Sequence, residues 1–171
     1  MNQISGIKLQ HRLAHVKLLA LDVDGVLTDG GLYYTETGEE LKKFNVKDGL
    51  GIKRIMQAGI EVAIITTSHS LSVHHRAKKL GVPHVFLGAE DKLATLKELC
   101  RNLGIDLSEV AYIGDDLVDL PVLKAIGCPI TVADAVPENL ACALYVTKKT
   151  GGQGAVREVC DQIVGNFMKF D

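Results

Sequence analysis

Two clusters of acids in this 171-residue chain have the residue types and spacing of a reactive centre. Asp22-Val23-Asp24-Gly25 closes the apolar run Leu18-Leu-Ala-Leu21, and Gly114-Asp115-Asp116 with Asp119 closes Val110-Ala-Tyr-Ile113. Two carboxylates at the end of a buried strand destabilise a fold unless a cation compensates them. A hard divalent ion such as Mg²⁺ is the fitting partner, because it takes oxygen ligands and suits phosphate substrates. Each cluster alone is also compatible with a solvated acidic loop. If both strands belong to one parallel sheet, however, Asp22, Asp24 and Asp115 meet at one edge. Asp116 and Asp119 have a plainer reading as acids of a helix's first turn, which the helix dipole favours.

Two more residues suit an anion. Thr66 closes Ile60-Glu-Val-Ala-Ile-Ile65, where its hydroxyl serves either a phosphate oxygen or the cap of the next helix. Lys92 follows Glu90-Asp91 at the expected start of a helix, a place where the dipole disfavours a cation and a bound anion would remove the conflict. Taken alone, it reads as a surface lysine.

The elements that must position these residues follow from the hydrophobic pattern. Apolar runs at Val16–Asp22, Glu61–Thr66, His84–Leu87, Val110–Ile113 and Pro129–Val132 predict five buried strands, with Leu144–Val146 as an edge. Helical spacing at Ile52/Ile55/Met56, Leu93/Leu96/Leu99/Leu103 and Val156/Val159/Ile163/Phe167 lies between and after them. The alternation predicts an α/β fold, a Rossmann-like doubly wound parallel sheet with helices on both faces. Gly31–Thr35 and Glu39–Asn45 around Gly38 predict a β-hairpin inserted after the first strand. With no linker or repeat, residues 1–171 are expected to form one domain without a cap domain, carrying a hairpin flap at about 31–45 and a Gly-rich tail and helix at about 150–168.

Composition narrows the function class. The chain is 47% hydrophobic and 23% charged, and its 19 Lys and Arg against 21 Asp and Glu give a net charge of −2. That balance argues against a nucleic-acid binder, which needs a basic stripe to neutralise phosphates. No apolar run approaches the ~18 residues of a membrane span, and the polar start MNQISGIKLQHRLAHV lacks a signal peptide's apolar centre, so a cytoplasmic protein without a membrane partner is expected. Cys100, Cys128, Cys142 and Cys160 form no Cys-x-x-Cys pair and read as reduced, with Cys100 and Cys160 in apolar helix faces.

Asp-x-Asp, then Thr, then Lys, then Gly-Asp-Asp-x-x-Asp, each at or just after a strand end, resembles the haloacid dehalogenase superfamily of phosphohydrolases. The resemblance spans nearly the whole chain. It implies Asp22 as the nucleophile, Asp24 as general acid and then base, Thr66 and Lys92 as phosphate ligands, and Mg²⁺ held by Asp22, the Asp24 backbone carbonyl and Asp115. Asp22–Gly30, Phe44–Gly49, Ala111–Leu117 and Gly151–Cys160 are similar to the capless branch that dephosphorylates an eight-carbon keto-deoxy sugar acid phosphate in lipopolysaccharide precursor synthesis. That branch implies a homotetramer whose neighbouring subunits help close each site. It also implies a small sugar phosphate as substrate, whose carboxylate would give Arg157 an anionic target; Asn45 and Lys47, at the hairpin's base, are expected as further sugar contacts. A relative acting on nine-carbon sugar acids is the alternative. Thr67-Ser68 stands where the branch has Gly-Arg or its relative Gly-Glu, so the residue that would tell the two substrates apart is missing. A receiver domain uses similar parts but places the acidic pair on the first strand and the phosphoacceptor on a middle one, an order this chain reverses. A sugar-phosphate-binding protein without turnover is opposed by the retention of both Asp22 and Asp24. His69, His74 and His75 read as a solvated helix face.

Overall fold

In a computed structural model, residues 6–167 are described; the chain start up to residue 5 and the end of the expected tail helix at 168 lie outside them. The elements in chain order are α1 (Gly6–Ala14), β1 (Leu18–Leu21), β2 (Tyr33–Tyr34), β3 (Glu40–Leu41), α2 (Val46–Gln57), β4 (Glu61–Ile65), α3 (Leu71–Leu80), β5 (His84–Phe86), α4 (Lys92–Leu103), β6 (Val110–Ile113), α5 (Leu120–Ala125), β7 (Cys128–Thr131), α6 (Pro137–Cys142), β8 (Tyr145–Val146) and α7 (Ala155–Phe167). Six strands form one sheet in the order β5-β4-β1-β6-β7-β8, and every pairing is parallel. β2 and β3 form the separate antiparallel hairpin.

Alternation along the strands assigns the two faces. Leu19 and Leu21 of β1 pack with Val62 and Ile64 into a core closed by Ile52 and Ile55 of α2 and Val156, Val159 and Ile163 of α7. Leu18 and Ala20 face the other way, onto Leu96, Leu99 and Cys100 of α4 and Val122 and Leu123 of α5. Burying a leucine or isoleucine of this kind contributes about 1.5–3 kcal/mol, so both helical layers hold the sheet firmly. Cys100 and Cys160 are buried free thiols, as their apolar surroundings suggest.

The five expected strands and the edge strand all form, with ends displaced by one or two residues. β5 differs in kind: its three residues are half-buried, because it borders the sheet and has one strand neighbour only. The hairpin pairs over two residues on each side, with Gly38 at φ +85° in its turn. No cap domain interrupts the chain between β1 and α2 among the described residues, and no described helix is long and apolar enough to cross a membrane.

The strand order decides where a ligand fits. From β1 the chain moves outward through β4 to β5, then returns to the other side of β1 as β6. The carboxyl ends of β1 and β6 therefore flank the switch point, where open α/β sheets hold their ligands.

Candidate active site

Register brings the two acidic clusters together. Leu21 pairs with Ile113, and the Asp22 amide donates to the Ile113 carbonyl at 3.0 Å, so Asp22 and Gly114-Asp115 leave the sheet side by side. After Asp22 the chain closes a tight loop in which the amides of Val26, Leu27 and Thr28 all donate to the Val23 carbonyl. Gly25 sits at φ +79° in this loop, and a Cβ there would overlap the Asp115 carboxylate. Only glycine satisfies both the left-handed backbone and the close approach.

Carboxylate oxygens of Asp22, Asp115 and Asp119 lie within 4.8 Å of one another. Asp119 is wholly buried and accepts four hydrogen bonds: from Lys92 Nζ at 2.7 Å, the Tyr112 hydroxyl at 2.7 Å, and the amides of Asp115 at 3.0 Å and Asp116 at 3.3 Å. Lys92, the first residue of α4, is buried and also reaches Asp22 Oδ1 at 2.8 Å. Asp91 caps that helix by accepting from the Ala94 amide. The surface-lysine reading of Lys92 is thereby corrected; Asp119 does stand in a helix's first turn, accepting from the Asp116 amide there, and adds the bonds from Lys92, Tyr112 and the Asp115 amide. Asp116 does sit at a helix start, accepting from the Leu117 amide ahead of a single 3-10 turn.

Three carboxylates and one ammonium leave two formal negative charges in a cluster in which Asp22, Asp119 and Lys92 are buried and Asp115 is partly buried. Burial, then the Asp119 charge, pushes the Asp22 carboxyl well up, with Lys92 pulling it back. Burial and the Asp119 and Asp116 charges push Asp115 up to about 7. Asp115 Oδ1 is buried without a hydrogen-bond partner. A divalent cation beside Asp22 and Asp115 supplies what this set of oxygen donors lacks. Asp119 is already saturated by its four donors and supports the other two.

The remaining predicted residues divide. Thr66 follows β4 at the same edge, is buried, and accepts from the Ser68 amide at 3.1 Å. It does not cap α3, whose N-cap is Ser70. Thr67 is exposed, and Ser68 accepts from the Ser70 amide within the loop. Asp24 turns its side chain to the hairpin, where Lys42 Nζ lies 2.6 Å from Oδ1. Asn45 caps α2 through the Lys47 amide and donates to the Gly152 carbonyl at 3.0 Å; Lys47 is exposed in the first turn. Arg157 pairs with Asp161 one turn along α7, and its amide donates to buried Asp48. Asn45 and Arg157 thus hold local structure within the subunit rather than joining the acidic cluster.

Gly151–Gly154 forms no loose turn. Gly151 and Gly152 are buried against the loop after β1, with the Gly152 amide donating to the Val26 carbonyl at 3.0 Å. A Cβ on Gly151 would overlap the Gly25 carbonyl. The tail is part of the wall behind Asp22.

Comparison with known proteins decides the family. The profile of the haloacid dehalogenase-like hydrolases matches residues 88–159. A 3-deoxy-D-manno-octulosonate 8-phosphate phosphatase of Yersinia pestis is 49% identical over 153 residues, 90% of this chain and 82% of its own. The chain belongs to the haloacid dehalogenase-like hydrolases. Among solved members, the crystal structure of 3-deoxy-D-manno-octulosonate 8-phosphate phosphatase from Moraxella catarrhalis, in complex with magnesium ion, phosphate ion and KDO, superposes with a TM-score of 0.92 at 43% identity, covering 97% of this chain and 99% of that one. The cobalt-bound form of the Haemophilus influenzae phosphatase gives 0.89 at 41%, covering 92% of each chain.

Proposed function

We propose that the protein is a Mg²⁺-dependent phosphomonoesterase that releases phosphate from 3-deoxy-D-manno-octulosonate 8-phosphate, a step of lipopolysaccharide precursor synthesis. The observation that carries the reading is the convergence of Asp22, Asp115 and Lys92 at the switch point, with Asp115 Oδ1 left without a partner. The ion would be held by the Asp22 carboxylate, the Asp24 backbone carbonyl and Asp115, and when bound it neutralises charge on the phosphoryl oxygens.

The rest of the chemistry belongs to the side chains. An Asp22 carboxylate oxygen bonds to phosphorus as the phosphorus–sugar oxygen bond breaks, and Asp24 gives that leaving oxygen a proton. Asp24, now ionised, takes a proton from the water that attacks the aspartyl-phosphate, which frees inorganic phosphate and restores Asp22. Lys92 and the Thr66 hydroxyl hold phosphoryl oxygens through both steps. Asp119 fixes the Lys92 ammonium, so the positive charge is in place before substrate arrives.

Residues 1–171 are read as one phosphatase domain, cytoplasmic and homotetrameric, with neighbouring subunits closing the site. Supporting the assembly, Leu32, Tyr33, Tyr34 and Leu41 of the hairpin are exposed. Asn45 donates to the Gly152 carbonyl and Arg157 pairs with Asp161 on the surface of α7, while Lys47 is exposed in the first turn of α2.

The test is phosphate release with Mg²⁺ from the eight-carbon sugar acid phosphate, nine-carbon keto-deoxy sugar acid 9-phosphates, hexose phosphates and an aryl phosphate. The expected result is a kcat/KM at least about tenfold higher for the eight-carbon acid, the discrimination about 1.4 kcal/mol supplies. A preference for the nine-carbon acid would transfer specificity to the Thr67-Ser68 loop, and release from none would contradict the enzyme.

A further inference from the structure

Lys42 has no part in the chemistry just derived, yet it is the residue of the hairpin that reaches a reacting group. It lies one residue past β3 and folds back under the hairpin, with its side chain 1% exposed. Its ammonium is 2.6 Å from Asp24 Oδ1 and 3.0 Å from Glu40 Oε1. Glu40 is held in turn by the Tyr34 hydroxyl, which donates to Oε2 at 3.2 Å. A chain of polar contacts thus runs from Asp24 through Lys42 and Glu40 to Tyr34 on the other strand of the hairpin.

A buried ammonium is costly unless paired and hydrogen-bonded, so its position is specified by its partners. A surface lysine tethering a hairpin would stay solvated and contribute little. Asp24 gains more from the pairing than the hairpin does. Its side chain remains 40% exposed, toward the solvent side from which substrate must come, and Lys42 fixes one of its two oxygens. The other oxygen is not engaged by Lys42.

We propose that Lys42 is a positioning residue for Asp24: from the hairpin side it fixes the carboxyl group that protonates the leaving oxygen, and it faces the negative charge that this transfer leaves behind. The inference rests on the assignment of Asp24 as general acid. In the step concerned, the phosphorus–oxygen ester bond breaks, its electron pair goes to the sugar oxygen, and the Asp24 proton joins that oxygen. The carboxylate so formed is the group Lys42 holds.

Leaving-group dependence separates positioning from bracing. An alkyl phosphate needs its leaving oxygen protonated, whereas 4-nitrophenyl phosphate expels a stabilised phenolate without that help, and kcat/KM reports only the steps through formation of the phospho-enzyme. Lys42→Met, Lys42→Arg and Asp24→Asn are compared with wild type on both substrates. Lys42→Met is expected to lower kcat/KM on the sugar phosphate by roughly ten- to a hundredfold while changing the aryl phosphate by less than about threefold, and Lys42→Arg is expected to recover most of the loss. Retained aryl phosphate turnover shows that the variant is folded. An equal loss on both substrates, or none on either, with Asp24→Asn still selective against the alkyl substrate, overturns the role of Lys42 and leaves the general acid standing. An Asp24→Asn variant without that selectivity removes the general acid, and the inference with it.

Discussion

Asp119 shows how much of this site depends on a residue that touches neither substrate nor leaving group. It stands at 0% exposure among four donors, and one of them is the buried ammonium of Lys92. Replacing Asp119 by Ala strips the Tyr112 hydroxyl and two amides of their acceptor at once and leaves the Lys92 ammonium with Asp22 alone. Breaking a buried pair from one side costs roughly 3–5 kcal/mol, which in a chain of this length lowers Tm by roughly 6–20 °C. Thermal melts of Asp119→Ala should show that drop together with loss of turnover, and a Tm within about two degrees of wild type would contradict the role given to the network. Asp22, Asp115 and Thr66 were legible from residue type and position at strand ends, and Lys92 from its place at a helix start, where a cation is disfavoured unless an anion binds. Asp119 was not, because an acid in a first turn has a sufficient local explanation in the helix dipole, and its four donors come together only when β6, α4 and the loop before α5 pack. Lys42 was hidden for the same reason, since its neighbours in sequence do not indicate that it folds back onto Asp24.

At the scale of elements, the hairpin does two jobs with its two sides. One side carries Glu40 and Lys42 to Asp24; the other presents Leu32, Tyr33 and Leu41 to solvent in the isolated subunit. A patch of that kind on a two-stranded ribbon is stabilised when a second copy covers it. Sedimentation should give a tetramer for wild type and a smaller species for the double substitution Leu32→Glu, Tyr33→Glu. A wild-type monomer would contradict the assembly. The strands were legible to within one or two residues because the central ones are short continuous apolar runs, buried on both faces of a parallel sheet. α5 and α6, at six residues each, are too short to show a helical period, and both are set by Pro at their starts. Gly151–Gly154 carries no periodic signal either; its burial comes from backbone-to-backbone contact with the loop after β1.

For the whole molecule, topology and charge meet at one place. The order β5-β4-β1-β6-β7-β8 puts the switch point between the two acidic strand ends, and the excess of negative charge there makes stability depend on a cation. In metal-free protein Asp115 is raised from an ordinary 3.8 to about 7, and burial moves Asp22 in the same direction. A carboxyl raised on folding contributes stability that is fully present below its unfolded pKa, near pH 4, and is lost as pH rises through its folded value, near pH 7. Mg²⁺ binds the ionised cluster, so it restores most where most was lost. The rise in Tm between chelator-treated and Mg²⁺-loaded protein should therefore be larger at pH 8 than at pH 5. An equal rise at both, or a larger one at pH 5, would contradict the placement of the ion among these carboxylates.

The central claim is that Asp22 becomes covalently phosphorylated during turnover. Enzyme mixed with the eight-carbon sugar acid phosphate and Mg²⁺, quenched in acid and digested, should carry a phosphoryl group on the peptide containing Asp22. The label should be absent from Asp22→Asn, which should be folded and inactive. Phosphoryl label on another residue, or wild-type turnover by Asp22→Asn, would contradict the account.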